Sequence, residues 1–240
     1  EAVSDAKSLI STIAELEIYG GPGLFGAYIY PDVGNTKQYA IYIYQGGLSL
    51  PDEAYYREEQ YAPIREAFLV HVKKMSEISG IEIDGAALLT LETQIATFHW
   101  DQVKDRDAIA TYNKLSFAEL KQLSPNLDWD TYIASGQIAP EKFAEIVVRE
   151  PSFFEGLSSI LGNFDVTGWR NWLRWHILSG SAGYLNDALV NQNFDFYARS
   201  LSGTPKIRER WKRGISFVEG ALGEEIGKEY AKRHFPESSK

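Results

Sequence analysis

The sequence of 240 residues contains no cysteine, a single methionine and only four histidines. The lack of cysteine excludes disulfide bonds and any metal site built on thiolate ligands. No run of about 18 apolar residues is present, so the sequence predicts no membrane-spanning segment. Positive charge is also scarce, because 24 Lys and Arg face 33 Asp and Glu for a formal net charge of −9. This balance disfavours binding to a polyanion such as a nucleic acid.

What the sequence does contain is a large apolar fraction. Hydrophobic residues make up 44% of the chain and aromatic residues 13%, which indicates a packed core rather than disorder. We find no internal repeat, low-complexity tract or clear linker, and therefore predict one mainly helical domain over residues 1–240. The first ten residues, EAVSDAKSLI, are charged and amphipathic and do not form a signal peptide. If the chain is a fragment, a signal peptide could have stood in the part before it. A cytoplasmic and an exported location therefore both stay open.

β structure is indicated in one place, near the N-terminus. A helical spacing of apolar residues over residues 4–16 ends at a glycine-rich cluster, residues 20–23. Two runs rich in aromatic and β-branched residues follow, residues 24–30 and 38–45. They predict a hairpin over about residues 24–45 with a loop of several residues.

The remainder of the chain has the spacing of amphipathic helices. Local start and stop residues mark several of them: Pro63 and Gly80 around one helix, Asp84 and Thr167 as N-caps, and Ser116 with Glu119 as a capping box. The predicted helices cover residues 62–79, 84–103, 116–124, 151–161, a segment from Thr167, and a final segment from about Pro205. The predicted fold class is mainly α, a multi-helix domain with one small β-hairpin.

The histidines do not form a zinc motif. None of His71, His99, His176 and His234 begins an H-E-x-x-H sequence, which zinc peptidases use to place two ligands one helical turn apart. The pair Glu1 and Asp5 has the spacing of a third-ligand motif, and we interpret it as a coincidence. A site assembled from distant histidines and carboxylates is the less favoured alternative.

For two histidines, the neighbouring residues suggest a role that must be weighed against a structural one. His99 stands beside Trp100 and Asp101, an arrangement in which a carboxylate orients a general base, but a structural histidine at a helix end is favoured. His176 lies within a tryptophan-rich helical stripe and is expected to pack at the edge of the core. No G-x-S-x-G sequence surrounds any serine, so no nucleophile is predicted.

Two further motifs are interpreted as structural. The glycine-rich YGGPGLFG, residues 19–26, lacks the G-K-[ST] ending of a phosphate-binding loop and predicts a turn before a strand. Basic residues surround Trp211 in a pattern that suggests nucleic-acid stacking: Arg208, Arg210, Lys212 and Arg213. Because Glu209 lies among them, a helix face with local ion pairs is favoured.

Several longer segments resemble one protein family. QGGLSLPDEAYY (residues 45–56) matches a family motif at Gly47, Leu48, Leu50, Pro51, Asp52, Tyr55 and Tyr56. The C-terminal segment matches at Arg210, Trp211, Lys212, Arg213, Gly227, Tyr230, Phe235, Ser239 and Lys240. Between these two segments lie RDAIATYNKLSFAEL, DWDTYI and EPSFFEGL, in the family's order. Together they resemble the neprilysin-like zinc metallopeptidases, which include neprilysin, endothelin-converting enzyme and bacterial oligopeptidase O. One departure is Glu53-Ala54, where the family has a basic residue and then an acid.

The resemblance implies that this chain is most of the N-terminal, non-catalytic lobe of a two-lobe enzyme. The parent would be a zinc metalloendopeptidase, with zinc bound outside this segment, and the segment alone is predicted to be inactive. No catalytic, cofactor-binding or metal-binding residue is therefore predicted here. The expected partners are the catalytic lobe of the same polypeptide and peptide substrates in a shared cavity, whose size this lobe restricts. Animal members carry disulfides, so the lack of cysteine implies a bacterial source.

Two other functions stay open. One is a free-standing helical module, derived from this lobe, that binds peptides or proteins. The other, which ranks last, is an independent hydrolase whose carboxylates come from distant parts of the chain.

Overall fold

The computed structural model describes residues 2–239; Glu1 and Lys240 lie outside the described residues. Within them the chain divides into two compact units, residues 2–196 and 197–239. The prediction of one domain over residues 1–240 stays a prediction.

The first unit is mainly helical, which confirms the predicted class. Its α-helices are α1 (Ala6–Glu17), α2 (Ala54–Arg57), α3 (Ala62–Ser79), α4 (Gly85–Ala96), α5 (Gln102–Asp105), α6 (Phe117–Leu123), α7 (Trp129–Ser135), α8 (Pro151–Gly162), α9 (Val166–Ser181) and α10 (Asp187–Asn193). Short 3-10 turns cover Glu59–Tyr61, Pro140–Phe143 and Ala182–Tyr184. A π-helical turn, Phe194–Ser200, begins in the first unit and ends in the second.

Several helix ends form as the sequence predicts. Ser116 and Glu119 make a reciprocal capping box at α6, and Asp84 accepts two backbone N–H groups at α4. Gly80 ends α3 in the left-handed conformation, with φ at 71°. The predicted cap of α9 was displaced by two residues: Asp165, not Thr167, is the N-cap, and it accepts the backbone N–H of Thr167. The helix after Asp84 also ends earlier than predicted, at Ala96, and a separate α5 follows.

The predicted hairpin is present and is longer than expected. Strands β1 (Phe25–Asp32) and β2 (Asn35–Gln45) pair antiparallel and are separated by two residues rather than by a loop of several. Two strands of four residues complete the sheet: β3 (Asn113–Ser116) and β4 (Glu145–Val148). The order is β1-β2-β4-β3, with β2 and β4 parallel. β3 and β4 are additions to the predicted hairpin.

The core lies between one face of this sheet and the helices. Phe25 on β1 packs against the rings of Trp129 on α7 and Phe154 on α8, with centroids 5.3 and 5.5 Å away. All three tryptophans of α9, Trp169, Trp172 and Trp175, are buried. Because these large side chains fix α9 beside α4, the core sets the position of the loop that follows β2.

The second unit contains α11 (Arg210–His234), followed by a 3-10 turn over Glu237–Ser239. The helix begins at Arg210 rather than near Pro205. It has non-helical dihedral angles at Leu222, between two glycines, which bends it. Among residues 2–239, no helix combines the length and the apolar character that a membrane crossing requires.

Candidate functional site

The segment from Gln45 to Tyr56 leaves the sheet at the end of β2 and runs as a loop into α2. Its backbone requires glycine at position 47, where φ is 82° and an added Cβ would lie 3.2 Å from the carbonyl oxygen of Leu24. The side of the loop that faces the core is bound by side chains of α4 and α9, by His99 after α4 and by Glu150 before α8. The sequence therefore places an irregular backbone in one defined conformation.

A buried carboxylate, that of Glu92 on α4, is the centre of this arrangement. Its Oε1 accepts hydrogen bonds from His176 Nε2 at 2.8 Å and from Ser49 Oγ at 2.6 Å. Its Oε2 accepts from the Tyr56 hydroxyl at 2.6 Å and from the Ser49 backbone N–H at 3.1 Å. Glu92 is fully buried, and four donors to one carboxylate offset the cost of removing its charge from water.

The Tyr56 hydroxyl extends the network into the loop. It accepts the backbone N–H groups of Ser49 and Leu50, at 3.0 and 2.9 Å, while it donates to Glu92. Burial, together with the neighbouring Glu92 carboxylate, raises the pKa of Tyr56 well above its usual range. Trp175 Nε1 donates to Ser49 Oγ at 2.8 Å. The Ser49 hydroxyl is thus engaged as both donor and acceptor, an arrangement that holds a loop rather than activates a nucleophile.

Two further donors bind the glycines of the loop. His99 Nε2 lies 2.9 Å from the carbonyl oxygen of Gly46, and Trp172 Nε1 donates to the carbonyl oxygen of Gly47 at 3.0 Å. Because a carbonyl oxygen only accepts, Nε2 of His99 carries the proton. Burial lowers the pKa of His99 to about 4, so the ring is neutral at pH 7.

A second buried acidic side chain, that of Glu150, holds the beginning of the loop. Its Oε2 accepts the backbone N–H of Gln45 at 2.8 Å, and its Oε1 accepts Arg149 Nε at 3.3 Å. Burial, together with a hydrogen bond to Asp105, raises the pKa of Glu150 to about 8. Although burial opposes it, hydrogen bonds with Glu150 and Arg149 lower the pKa of Asp105. At pH 7 Glu150 is therefore protonated and Asp105 carries the charge.

The outer side of the loop forms a groove of about 320 Å³, whose lining includes Tyr44, Leu48, Pro51, Asp52, Trp100 and Gln102. Gln102 Nε2 donates to Asp52 Oδ2 at 2.6 Å across the groove. The groove offers a polar carboxylate and amide beside aromatic surface.

The structure places the other predicted residues apart from this loop. Burial, aided by Lys74, lowers the pKa of His71 to about 4, and its ring stacks on Phe196 at 4.7 Å. His234 belongs to the second unit, where it contacts the ring of Tyr230 at 4.6 Å. Asp101 Oδ1 accepts the backbone N–H groups of Val103 and Lys104 and caps α5, whereas His99 faces Gly46.

The described residues do not fit a zinc site. Over residues 2–239, no three His, Asp or Glu side chains converge in a way that would hold a metal ion. Of the pair Glu1 and Asp5, the first lies outside the described residues, and the second caps α1 by accepting the Ser8 backbone N–H at 2.7 Å. No step of zinc chemistry is therefore assigned to these side chains.

The basic cluster near Trp211 makes local contacts, as the sequence suggested. Lys212 lies 3.3 Å from Glu209, and Trp211 Nε1 donates to the same carboxylate at 2.8 Å. Arg208 donates to Ser216 Oγ at 3.1 Å. The glycine-rich residues 19–26 form a turn into β1, as predicted.

Sequence reasoning missed Glu92 and Glu150. Glu92 occupies the apolar stripe of α4, four residues after Leu88 and three before Ile95, so a charged residue at a core position was the available signal. Glu150 follows the apolar run of β4 and precedes Pro151 at the start of α8. Its neighbours in sequence give no sign that it binds Gln45.

A model of the N-terminal part of peptidase family M13 matches residues 1–240. Among curated relatives, membrane metallo-endopeptidase-like 1 of Mus musculus is 26% identical over 235 residues, which cover 90% of this chain and 31% of that protein. Endothelin-converting enzyme 1 of Homo sapiens is 25% identical over 226 residues, covering 90% of this chain and 29% of the relative. The chain thus spans about a third of the length of the relatives it matches.

Solved structures extend the comparison to the fold. The Mycobacterium tuberculosis zinc metalloprotease Zmp1 in complex with an inhibitor superposes with a TM-score of 0.93 and 36% identity, over 99% of this chain and 37% of that one. PepO from Lactobacillus rhamnosis shares the fold with a TM-score of 0.78 at 19% identity, over 100% of this chain and 39% of that one. Both are bacterial, which fits the expected source. The chain belongs to peptidase family M13 and corresponds to the N-terminal lobe of the neprilysin-like metallopeptidases.

Proposed function

We propose that this chain is the non-catalytic lobe of a zinc metalloendopeptidase, and that it walls the cavity in which peptides are cleaved. The observation that carries the proposal is the match over the whole chain to one part of M13 proteins: 99% of this chain superposes on 37% of a zinc metalloprotease. In this proposal the zinc and the groups that activate water belong to the remaining part of the polypeptide. The lobe contributes shape and restricts the size of the substrates.

The loop Gln45–Tyr56 supports this role because its conformation is set before any ligand arrives. The backbone groups of Gln45, Gly46, Gly47 and Ser49 each bond to a side chain from elsewhere in the fold, and the Leu50 N–H donates to Tyr56 at the end of the loop. A surface fixed in this way costs little conformational entropy when it meets a substrate. It also resists deformation by a substrate that is too large, which size selection requires.

The test compares the whole polypeptide with a form that lacks residues 1–240, using a series of unstructured peptides of increasing length. We expect kcat/KM of the whole enzyme to fall steeply with substrate length, and this length dependence to weaken in the shortened form. The separate 240-residue chain, added back, should restore it. An unchanged length cut-off in an active shortened form would refute the size-selecting role.

If the shortened form is inactive, a second variant keeps the test decisive. Ser49→Ala removes a donor to Glu92 and loosens the loop without touching a predicted zinc ligand. The expected result is a relative gain in cleavage of the longer peptides. An inactive whole polypeptide whose 240-residue segment still binds peptides would instead favour the free-standing binding module.

A further inference from the structure

Beside the groove on the outer side of the loop Gln45–Tyr56, two carboxyl groups share one proton. Glu150 is fully buried, and its carboxyl group forms a hydrogen bond with Asp105, the last residue of α5. Because an ionised carboxylate can only accept, a hydrogen bond between two carboxyl groups requires a proton on one of them. Glu150 carries it, since burial disfavours its charge, whereas the side chain of Asp105 is 35% exposed.

Arg149 is the cation that faces this pair. Its Nε lies 3.3 Å from Glu150 Oε1, and its Nη2 donates to Asp105 Oδ1 at 3.0 Å. Its Nη1 donates to the Tyr28 hydroxyl on β1 at 3.2 Å. From β2 the neutral Gln45 faces Glu150, and α8, which follows Glu150, begins with the uncharged residues PSFF. One arginine thus serves two carboxyl groups, which balances one negative charge and leaves a second one unbalanced.

The two sides of this pair differ in how firmly the fold holds them. Glu150 stands between β4 and α8 and is bound to the end of β2 through Gln45. Asp105 ends α5, a helix of one turn, and so short a helix depends on its contacts with the rest of the fold. α5 also carries Gln102, whose side-chain amide bridges the groove to Asp52 at 2.6 Å. A displacement of α5 therefore breaks this bridge.

We propose that the proton between Glu150 and Asp105 is a switch that sets the width of the groove. While the proton is present, Glu150 holds Asp105 and α5 in place, and Gln102 bridges the groove to Asp52. When the proton leaves to the solvent, the two carboxylates repel each other, Asp105 turns outwards, α5 moves with it and the bridge opens. The switch goes beyond the proposed peptidase function and does not depend on it, since it requires neither zinc nor a substrate.

The switch operates in mildly basic solution. Burial, together with the hydrogen bond to Asp105, raises the pKa of Glu150 to about 8. The ionised fraction of Glu150 therefore rises from about a tenth at pH 7 to about nine tenths at pH 9. His99, which also binds the loop, has a pKa of about 4 and stays neutral throughout this range.

The movement of α5 is measured with two spin labels, which attach only at introduced cysteines because the chain has none of its own. Val103→Cys places one label on α5, at a position 81% exposed, and Pro51→Cys places the other on the exposed opposite side of the groove. We expect the distance from double electron–electron resonance to lengthen between pH 7 and pH 9, with a midpoint near pH 8. The reference pair Pro51→Cys and Glu155→Cys, which does not include α5, should keep its distance. A constant distance between positions 51 and 103 would overturn the proposal.

Amide NMR signals of the unlabelled chain follow the proton and the bridge separately. The Gln45 N–H donates to Glu150 Oε2, so its chemical shift should titrate with a midpoint near pH 8. The side-chain amide of Gln102 should shift with the same midpoint as its bond to Asp52 breaks. A Gln45 signal that does not titrate would overturn the proposal. A Gln45 signal that titrates while the Gln102 amide stays constant would show that the proton leaves without moving α5, and would overturn it as well.

Two substitutions separate the switch from other effects of pH. Glu150→Gln keeps an acceptor for the Gln45 N–H and a donor for Asp105 but has no proton to lose, so the groove should stay closed at pH 9. Asp105→Asn removes the opposing charge and leaves Glu150 free to ionise. In that variant the Gln45 signal should titrate with a midpoint at lower pH, while the groove again stays closed. Opening of either variant to the extent seen in the unmodified chain would assign the movement to another group and overturn the proposal.

Discussion

The carboxylate of Glu92 and the imidazole of His176 meet 2.8 Å apart beneath the loop that follows β2, although 84 positions separate them in the sequence. Each comes from a different helix, α4 and α9, and each lies among apolar neighbours. The pair therefore ties two core helices to the loop that carries the family motif. Its geometry suggests how the loop would respond to small chemical changes.

The first prediction concerns this carboxylate. Glu92→Gln replaces an acceptor oxygen with an amide donor that faces Ser49 and Tyr56, so the free energy of unfolding should fall by about 2–4 kcal/mol. Urea unfolding followed by circular dichroism measures the change. The matched control is Glu155→Gln on the exposed side of α8, for which we expect a change within about 0.5 kcal/mol. Similar losses in both variants would contradict the role assigned to Glu92.

The second prediction concerns the pH dependence that Glu150 introduces. Its folded pKa of about 8 lies above the value of an unfolded glutamate, so the folded state binds this proton more tightly. Stability from this group is complete below about pH 4 and is lost as the pH rises towards 8. The lowered pKa values of His71 and His99 act in the opposite direction, but only between about 4 and 6.5.

Between pH 6.5 and 8 the effect of Glu150 should therefore dominate. We expect the free energy of unfolding to fall there by about 1 kcal/mol per pH unit, and Glu150→Gln to remove this slope while it keeps an acceptor for Gln45. Chemical unfolding in a series of buffers provides the measurement. A variant whose slope equals that of the unmodified protein would show that another group titrates.

The third prediction compares two Asp–Lys pairs. Asp32 is fully buried and accepts from Tyr112 at 2.6 Å and from Lys114 at 3.1 Å, and its hydrogen bonds, that of Tyr112 above all, hold its pKa well below the usual range. Asp130 pairs with Lys121 on the surface. Asp32→Asn should cost about 2–4 kcal/mol, and Asp130→Asn less than about 1 kcal/mol.

The stabilities of the two variants should also respond differently to acid pH. Because the folded pKa of Asp32 is depressed, the stability it provides is present above about pH 4 and is lost as the pH falls further. Asp32→Asn should unfold with a weaker acid dependence than the unmodified protein, as thermal melts between pH 2 and pH 5 would show. Equal costs for Asp32→Asn and Asp130→Asn at pH 7 would argue that Asp32 is dispensable.

The fourth prediction tests the close approach of Phe98, in the turn after α4, to helix α8. A Cβ at Gly156 on α8 would overlap the ring of Phe98, whereas a Cβ at Gly180 on α9 meets no atom of the described chain within 4 Å. Gly156→Ala should therefore destabilise by about 1–3 kcal/mol through overpacking. Gly180→Ala should stabilise by about 0.5–1 kcal/mol, because alanine favours the helix. Opposite shifts in melting temperature are the expected result.

Local features of the fold could be predicted from the sequence. The hairpin, the capping box at Ser116 and the left-handed end at Gly80 depend on residues close together in the chain, and each is present. The hairpin turn was predicted too long because Asn35 and its neighbours are polar, yet they continue β2 at the solvent. Pairing with β1, where Asn35 lies opposite Asp32, extends that strand against the propensity of its polar residues.

The features that could not be predicted from the sequence depend on contacts between residues far apart in the chain. β4 is four residues, EIVV, and it becomes a strand because it pairs with Ile41 and its neighbours on β2. The segment Gln45–Tyr56 was identified by its resemblance to a family motif, but the side chains that hold it come from α4, from α9, from the turn after α4 and from the residue before α8. A pattern confined to short windows does not relate Gln45 to Glu150 or Ser49 to Glu92.

The parallel pairing of β2 with β4 has a consequence for how the chain is made. The hydrogen bond from Gln45 to Glu150 and the adjoining strand pair join residues 105 positions apart, and all of α3 to α7 is synthesised between them. Until β4 leaves the ribosome, both edges of the hairpin are unpaired. Pairing of β2 with β4 is then slow, because the chain between these two strands is long. A nascent chain stalled before position 145 should therefore recruit chaperones, and one released beyond position 150 should need them less.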